Sequence, residues 1–405
     1  MQTPETVTNP FGRYFVSYRR TEALDVGPLV ELLHEHGLPT WLDVNDLASE
    51  PTAEELRRAI ADADTAGAIL FMTKSVRDSQ AIKVIEAPAI LKRHAQGRGF
   101  FVTPVMRSDL TYAEVEELYG DGVGLADLSK WNITTIDAGS HSGRLAVVTR
   151  ILAERLRRID KHLRPDDPLA LSLHTRVAPR AQLNTSLQLD WSHKFSPRHC
   201  TSVDWHERLM PALNTAADAI YRFGGGRAIV ADGLLGIPAA IALGSAFSST
   251  RGIPLQWRQI GSGHADLWSL DASDEAADLT IKSQVHDLNG TDMVLVLSVT
   301  ADITSDVRAM LPGISPRVVV AAEVSPTHSL TAGQAAHIAR AVVAAIRTSR
   351  AENQVTGTLH IFASAPVGLA VMIGQLLNTF QDVQTYEFEM GGSPRYTRAA
   401  PIKID

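Results

Sequence analysis

FGRYFVSYRRTEALDVGPLVELLHEHGLPTWLDVND, residues 11–46, decides the fold of the first part of this chain. It reads as a strand (Tyr14–Tyr18), a helix, and a second strand over Thr40–Val44 that carries Trp41, Leu42 and Asp43. Further runs of strand length follow at Ala68–Met72, Phe100–Met106 and Ile133–Asp137. Between them, Thr52–Ala63 opens on a capping-box pattern (Thr52, Glu55) and puts Leu56, Ala59, Ile60 and Ala63 on one face. Gly143–Leu163 carries Leu145, Val148, Leu152, Leu156 and Ile159 at helical spacing. Strands alternating with helices predict a parallel sheet covered on both faces. Ligands of such sheets sit beyond the carboxyl ends of the strands, the rim that holds Ser17–Arg20, Asp43–Asp46 and Thr73–Ser79. Glu86 follows that rim, with Ile82 and Ile90 at i±4. Pro88 lacks the N–H that would bond Val84, so its helix is expected to kink or begin late.

The chain has 405 residues, room for two or three domains. Its 45% apolar and 20% charged content is that of a globular protein. A net charge of −7 argues against a broad grip on duplex nucleic acid, which needs a basic face. One cysteine, Cys200, cannot form an internal disulfide and suits a reducing compartment. The start, MQTPETVTNP, is polar and without a signal pattern, and no run nears the roughly 20 apolar residues of a membrane helix. The expectation is a cytoplasmic protein with a disordered stretch over residues 1–10. Metal-ligand spacing, Walker-type phosphate loops and Ser-His-Asp elbows are not found in the sequence, so no metal and no cofactor is expected.

Arg164–Pro168 (RPDDP) is a proline-acid linker, after which the chain changes character. DPLALSLHT (167–175) and DMVLVLSVT (292–300) each read as an acidic start, a buried strand and a terminal threonine. Trp205–Phe223 and Thr331–Ser349 are both helical. Arg227–Trp257 runs strand, small-residue loop, helix with Gly244, strand. Thr358–Glu389 does the same, with loop Ala363–Gly368 and helix glycine Gly374. An offset of about 125 to 130 residues implies two similar alternating units, whose strand-end loops face one crevice. Small residues there let a ligand approach helix amino ends, which favour phosphate.

FVSYRR (15–20), GLPTWLDVNDL (37–47) and MTKSVRDSQAIKVIE (72–86) resemble the TIR domain family, over about residues 11–160. LHIFASAPVGLAVMIGQLLN (359–378) and the closing YEFE strand resemble the SAVED domain, a fusion of two CARF-like halves that senses cyclic oligonucleotides. These resemblances imply a flavodoxin-like TIR domain over residues 11–163, a linker at 164–167 and a SAVED domain over 168–405. Together they are similar to the TIR-SAVED effectors of bacterial cyclic-oligonucleotide antiphage (CBASS) systems. The TIR likeness implies an NAD⁺ glycohydrolase in which Glu86 engages the ribose beside nicotinamide. Phe15, Ser17, Arg19, Trp41, Asp43, Asp46 and Lys83 are its expected NAD-binding neighbours, with NAD⁺ as substrate. The loop Val44–Thr52 is the expected switch. The SAVED likeness implies an activating cyclic oligonucleotide, cyclic tri-adenylate first, and head-to-tail self-association into a filament. His174, Arg176, Lys194, Ser364, Pro366, Arg395 and Tyr396 are the candidates to bind it. The rival readings are a non-catalytic TIR scaffold that recruits a partner, and an enzyme acting on another N-glycoside.

Overall fold

The structure, a computed structural model, describes residues 7–41, 53–123, 131–177, 182–196, 199–260, 265–325 and 330–403. Asp43, Asp46 and the expected switch loop Val44–Thr52 lie outside the described residues. Contacts divide the chain into two compact units. The first runs to Asp166 and takes in the described residues of Pro179–Leu189 and Asp218–Gly225; the second comprises the rest.

The first unit is built on five parallel strands: β1 (Arg13–Ser17), β2 (Thr40–Trp41), β3 (Thr65–Met72), β4 (Phe101–Arg107) and β5 (Thr134–Ile136), in the order β2-β1-β3-β4-β5. This is the flavodoxin-like order, with the strand sequence reversing beside β1. Helix α1 (Ala23–Glu35) packs with α5 (His141–His162), while α2 (Ala53–Ala61), α3 (Ala87–Ala95) and α4 (Tyr112–Val123) pack with one another. Every residue of β3 is buried, as a central strand covered on both faces requires. Phe15, Trp41, Leu56, Ile60 and Ile90 form one apolar cluster, and Met72, Ile82, Leu91, Val115 and Tyr119 belong to another.

The polar start is tied down from Thr8 onward, a correction to the expected disorder through residue 10. The Thr8 N–H bonds the Arg98 carbonyl (3.3 Å), its hydroxyl accepts from Arg93 (3.2 Å), and the Asn9 amide donates to Asp64 (2.9 Å). The grouping of Pro179–Leu189 with the first unit also departs from a boundary drawn by chain order. Its cause is Arg155, 1% exposed on α5. The Arg155 guanidinium donates to the carbonyls of Phe11 (2.8 Å), Gly12 (2.7 Å), Thr185 (3.2 Å) and Ser186 (2.7 Å). The strand that follows, β7 (Leu187–Asp190), continues the anchorage through its Gln188 N–H, which bonds the Gly37 carbonyl at 3.0 Å.

The second unit repeats itself. Strands β6 (Leu169–His174), β8 (Ile229–Leu234), β9 (Leu255–Ile260) and β10 (Ala265–Trp268) lie in the order β10-β9-β8-β6. The other sheet holds β11 (Leu279–Val285), β12 (Met293–Ser298), β13 (Val318–Val324), β14 (Leu359–Ser364), β15 (Asp382–Phe388) and β16 (Tyr396–Lys403), in the order β11-β13-β12-β14-β15-β16. Its run β16-β15-β14-β12 mirrors β10-β9-β8-β6. In each, a terminal antiparallel strand follows parallel ones. Helix α6 (Met210–Phe223) has its counterpart in α8 (Ala332–Glu352), and α7 (Ile237–Ala246) in α9 (Val367–Gln375).

Helices α7 and α9 pack on each other. A Cβ on Gly244 would strike the Val371 carbonyl of α9, and one on Gly374 would strike the Ile241 carbonyl of α7. The two glycines flagged by the repeat thus mark a backbone-to-backbone crossing. Gly374→Ala is expected to destabilise the second unit by about 1–3 kcal/mol, because backbone atoms cannot yield as a side chain would. Gly27 in α1 has nothing within 4 Å of its would-be Cβ. Pro28 follows it, so the gain in helix propensity of about 1 kcal/mol is offset by the crowding of a Cβ against the proline ring, and Gly27→Ala should be near neutral. Thermal melts of the two variants check both expectations.

Candidate functional site

Ser17 ends β1, beside the point where strand order reverses, and its Oγ donates to Glu86 Oε2 at 2.6 Å. Both groups are buried, at 1% and 8% exposure. Glu86 closes a π-helical turn, Ala81–Glu86, that runs straight into α3. Pro88 stands in the first turn of α3, where its missing N–H costs nothing. The preceding backbone widens instead: the Ala87 N–H reaches back to the Ile82 carbonyl. The expected late start is therefore realised as a π turn, a device frequent at functional sites. Ile82 (2%) and Ile90 (0%) are both buried, so the carboxylate sits in an apolar row. Tyr119 of α4 is fully buried and its hydroxyl has no hydrogen-bond partner among the described residues. Burial first, and the Glu86 charge second, push its pKa far above the ordinary tyrosine value.

Four other expected neighbours surround this pair differently from the expectation. Phe15 is 1% exposed and stacks on Trp41 with centroids 5.0 Å apart and planes at 17°. The two rings are committed to each other and to the core, so Phe15 is a floor rather than an open stacking platform. Arg19 Nη1 donates to the Ser75 carbonyl (2.8 Å) and to Asp78 Oδ2 (3.1 Å). It latches the end of β1 to the turn Lys74–Asp78. Lys83 reaches the Arg77 carbonyl at 3.4 Å. Ser17, expected to touch the ligand, is instead the partner of Glu86.

The second unit holds a cavity of about 600 Å³ among the loops that follow its paired strands. The two terminal threonines behave alike. The Thr175 N–H bonds the Leu234 carbonyl (2.9 Å) and the Thr300 N–H bonds the Ser364 carbonyl (2.9 Å). Thr175 Oγ1 accepts from the Gly236 N–H (3.1 Å), while Thr300 Oγ1 meets Ser364 Oγ (2.7 Å). Each threonine so closes one strand-end loop over the crevice. Of the expected ligand residues, Arg176, Ser364, Arg395 and Tyr396 line the cavity. Pro366 caps α9 between two lining residues, Ala365 and Val367.

His174 and Lys194 are not among the lining residues. His174 is 6% exposed, and neither ring nitrogen has a hydrogen-bond partner among the described residues. Burial lowers its pKa, against the opposing charges of Asp232 and Asp190. Lys194 ends a separate turn, Ser192–Lys194. The lining also has an acidic side that sequence reasoning missed: Asp302, Asp306 and Glu387. Asp306 lies 3.7 Å from Arg395. Tyr396 is pushed up to about 12 by burial first, then by the charges of Asp306 and Glu387. Phe388, 39% exposed, adds an aromatic ring set edge-on to Tyr396 at 5.4 Å. A signal for these lay in the YEFE strand, where Glu387 and Phe388 follow the core residue Tyr386.

The chain matches the family model of the TIR domain over residues 15–139 and that of the SAVED domain, the SMODS-associated and fused to various effectors sensor domain, over residues 215–402. The chain joins a TIR domain to a SAVED domain. Two relatives, each called CD-NTase-associated protein 4, come from an Acinetobacter species and from Moraxella osloensis. The first is 25% identical over 56% of this chain and 47% of its own length, and the second 25% identical over 59% and 49%. The chain thus spans about half the length of the curated relatives it matches. The Acinetobacter baumannii Cap4 SAVED/CARF-domain containing receptor, solved with the cyclic trinucleotide 3'3'3'-cAAA, shares the fold at a TM-score of 0.52 and 18% identity, over 88% of this chain and 86% of its own. Its form with 2'3'3'-cAAA gives 0.52 at 17%. No helix among the described residues is long and apolar enough to cross a membrane.

A pH effect on the SAVED domain follows from His174. Its folded pKa lies below the unfolded value, so the neutral ring's contribution is complete above roughly pH 6.5 and is lost as pH falls below it. His360 shifts in the same direction, again mainly through burial. The melting temperature is expected to drop between about pH 7.5 and 5.5, and less steeply in His174→Gln. An unchanged slope in that variant would remove His174 as a cause.

Proposed function

We propose that the TIR domain is an NAD⁺ glycohydrolase switched on when the SAVED cavity binds a cyclic oligonucleotide. The observation that carries the enzymatic half is Glu86: a buried carboxylate that accepts a hydrogen bond from Ser17, at the strand-order reversal of a flavodoxin-like sheet. Breaking the nicotinamide–ribose bond of NAD⁺ needs no strong acid, because the leaving group already carries positive charge. The developing oxocarbenium ion is best met by a carboxylate in apolar surroundings, where its field is least screened. Glu86 supplies that charge and Ser17 fixes its orientation.

In the described arrangement Ser17 covers one Glu86 oxygen and the carboxylate is 92% shielded, being 8% exposed. This fits a resting enzyme. Activation requires a ligand with higher affinity for the arrangement that opens Glu86 to substrate. Head-to-tail self-association into a filament is the assembly we propose for it, since a contact between unlike faces propagates unless it closes. The sensing half rests on the cavity between two equivalent strand-end loops, and cyclic tri-adenylate is the first ligand to try. The cyclic trinucleotides bound by the Acinetobacter baumannii Cap4 receptor of the same fold support the sensing half, and the antiphage role we propose is depletion of NAD⁺ once that ligand appears.

The test is nicotinamide release from NAD⁺ by purified protein, with and without 3'3'3'-cAAA. Ligand-dependent release is expected, and Glu86→Gln should lower it on the order of 10³-fold while leaving ligand binding intact. Full activity in Glu86→Ala would overturn the catalytic assignment. Ligand binding and assembly without any nicotinamide release would favour the scaffold reading.

A further inference from the structure

Each half of the SAVED domain sends a side chain to the amino end of a helix in the other half. Ile229 of β8 pairs with Leu255 of β9, and Leu359 of β14 pairs with Val383 of β15, which sets the two halves in register. Four residues beyond each of these partners stand Gln259 and Glu387. They are equivalent positions on equivalent strands, and both reach across to the opposite half. Gln259 Oε1 accepts from the Gly368 N–H in the first turn of α9, at 3.1 Å. The Glu387 carboxylate occupies the space over Gly236, the residue that caps α7. A Cβ at Gly236 would have Glu387 Oε1 at 3.2 Å and Cδ at 3.1 Å. A serine or aspartate at an N-cap places its oxygen in this region to serve the free N–H groups of the first turn. Glycine at 236 cannot do so, and the carboxylate that lies in this region is that of Glu387, from the other half of the domain.

The two side chains are close in size and differ in charge. At α9 the group is a neutral amide; at α7 it is a carboxylate, and Glu387 also lines the cavity. The same wall carries Asp302, which stays ionised because the Thr304 backbone and side chain donate to it. A phosphate entering the cavity is therefore compatible with the α9 end as it stands. At the α7 end it meets a resident anion that already holds the favourable field of the helix amino terminus. We infer that Glu387 is a built-in competitor of the ligand phosphate, which must be moved aside for a cyclic oligonucleotide to seat on both halves, so that this one residue sets the threshold of activation. The inference rests on the reading of this cavity as the cyclic-oligonucleotide site.

The device would also explain why the two halves are not alike at this position. A sensor with two neutral groups binds more tightly but responds to scarcer ligand. One anionic group makes part of the binding free energy go into displacing the glutamate from the α7 end. Only a ligand that fills both ends completes the exchange.

The test is binding of 3'3'3'-cAAA by calorimetry to the full chain, its Glu387→Gln variant and the reciprocal Gln259→Glu variant. Melts of the unliganded proteins check that each folds. Glu387→Gln keeps a side-chain oxygen and removes the charge, and is expected to tighten binding roughly tenfold, whereas Gln259→Glu is expected to weaken it by a similar factor. Nicotinamide release, where ligand triggers it, should reach half-maximum at correspondingly lower and higher ligand concentrations. Equal or weaker binding by a folded Glu387→Gln protein overturns the competitor role; weaker binding makes Glu387 a ligand contact instead. Failure of the unaltered chain and both variants to bind overturns the cavity reading itself, and this inference with it.

Discussion

The contact on which the SAVED domain depends is the crossing of α7 and α9 at Gly244 and Gly374. There the helices meet carbonyl against Cα, with no side chain between them. Such an approach leaves no slack along either helix, because backbone atoms have no rotamers to adjust. The amino ends of both helices are thereby held at a fixed span, and the strand-end loops that precede them border one cavity. The matching hydrogen bonds of Thr175 and Thr300 then fix each loop to the end of its own sheet. Neither half could form this crevice alone, since both contribute its lining and Gln259 and Glu387 each approach the other half's helix.

In the TIR domain the equivalent constraint is a missing N–H. Pro88 cannot continue an ordinary helix backward, so the residues before it form a π turn ending at Glu86. A π turn carries more residues per turn than an α-helix and shifts the side chain at its end relative to α3. Glu86 thereby stays beside the end of β1, where Ser17 meets it, while Ile82 and Ile90 on either side remain in the core. A polar pair buried at 2.6 Å among apolar groups is costly to leave half-made, so each partner holds the other in place.

The alternation of strands and helices was legible because every element carried its own period, and the duplication because Gly244, Gly374, Thr175 and Thr300 recur at matching places. Pro88 announced an irregular helix, though not its π form, which depends on the neighbouring turn as much as on the proline. The chemistry of Phe15, Trp41, Arg19 and His174 shows what each could offer a ligand, not what each touches in the fold. Their actual partners (a ring, a turn, an apolar core) lie at distances in sequence that no local pattern encodes. Arg155 is the extreme case. Its spacing from Val148, Leu152 and Ile159 puts it on the apolar face of α5, but no local pattern shows that four carbonyls from two distant segments surround it there. Glu387 escaped for the complementary reason: its alternation within YEFE marks a strand, and only the pseudo-symmetric fold reveals what it faces.

Two of the buried polar groups among the described residues stand in contrast. Arg155 is a buried cation, but its donors are supplied with carbonyls, so its desolvation is compensated by hydrogen bonds and it serves architecture. Tyr119 is different: a hydroxyl sealed from water with no partner among the described residues, within the electrostatic reach of a buried glutamate. Folding alone gives no reason to keep that hydroxyl, since phenylalanine would fill the same volume without a desolvated oxygen. Under the glycohydrolase reading proposed above, that hydroxyl has a use: it is a donor already desolvated, open to the carboxylate or to a ribose oxygen once Glu86 leaves Ser17.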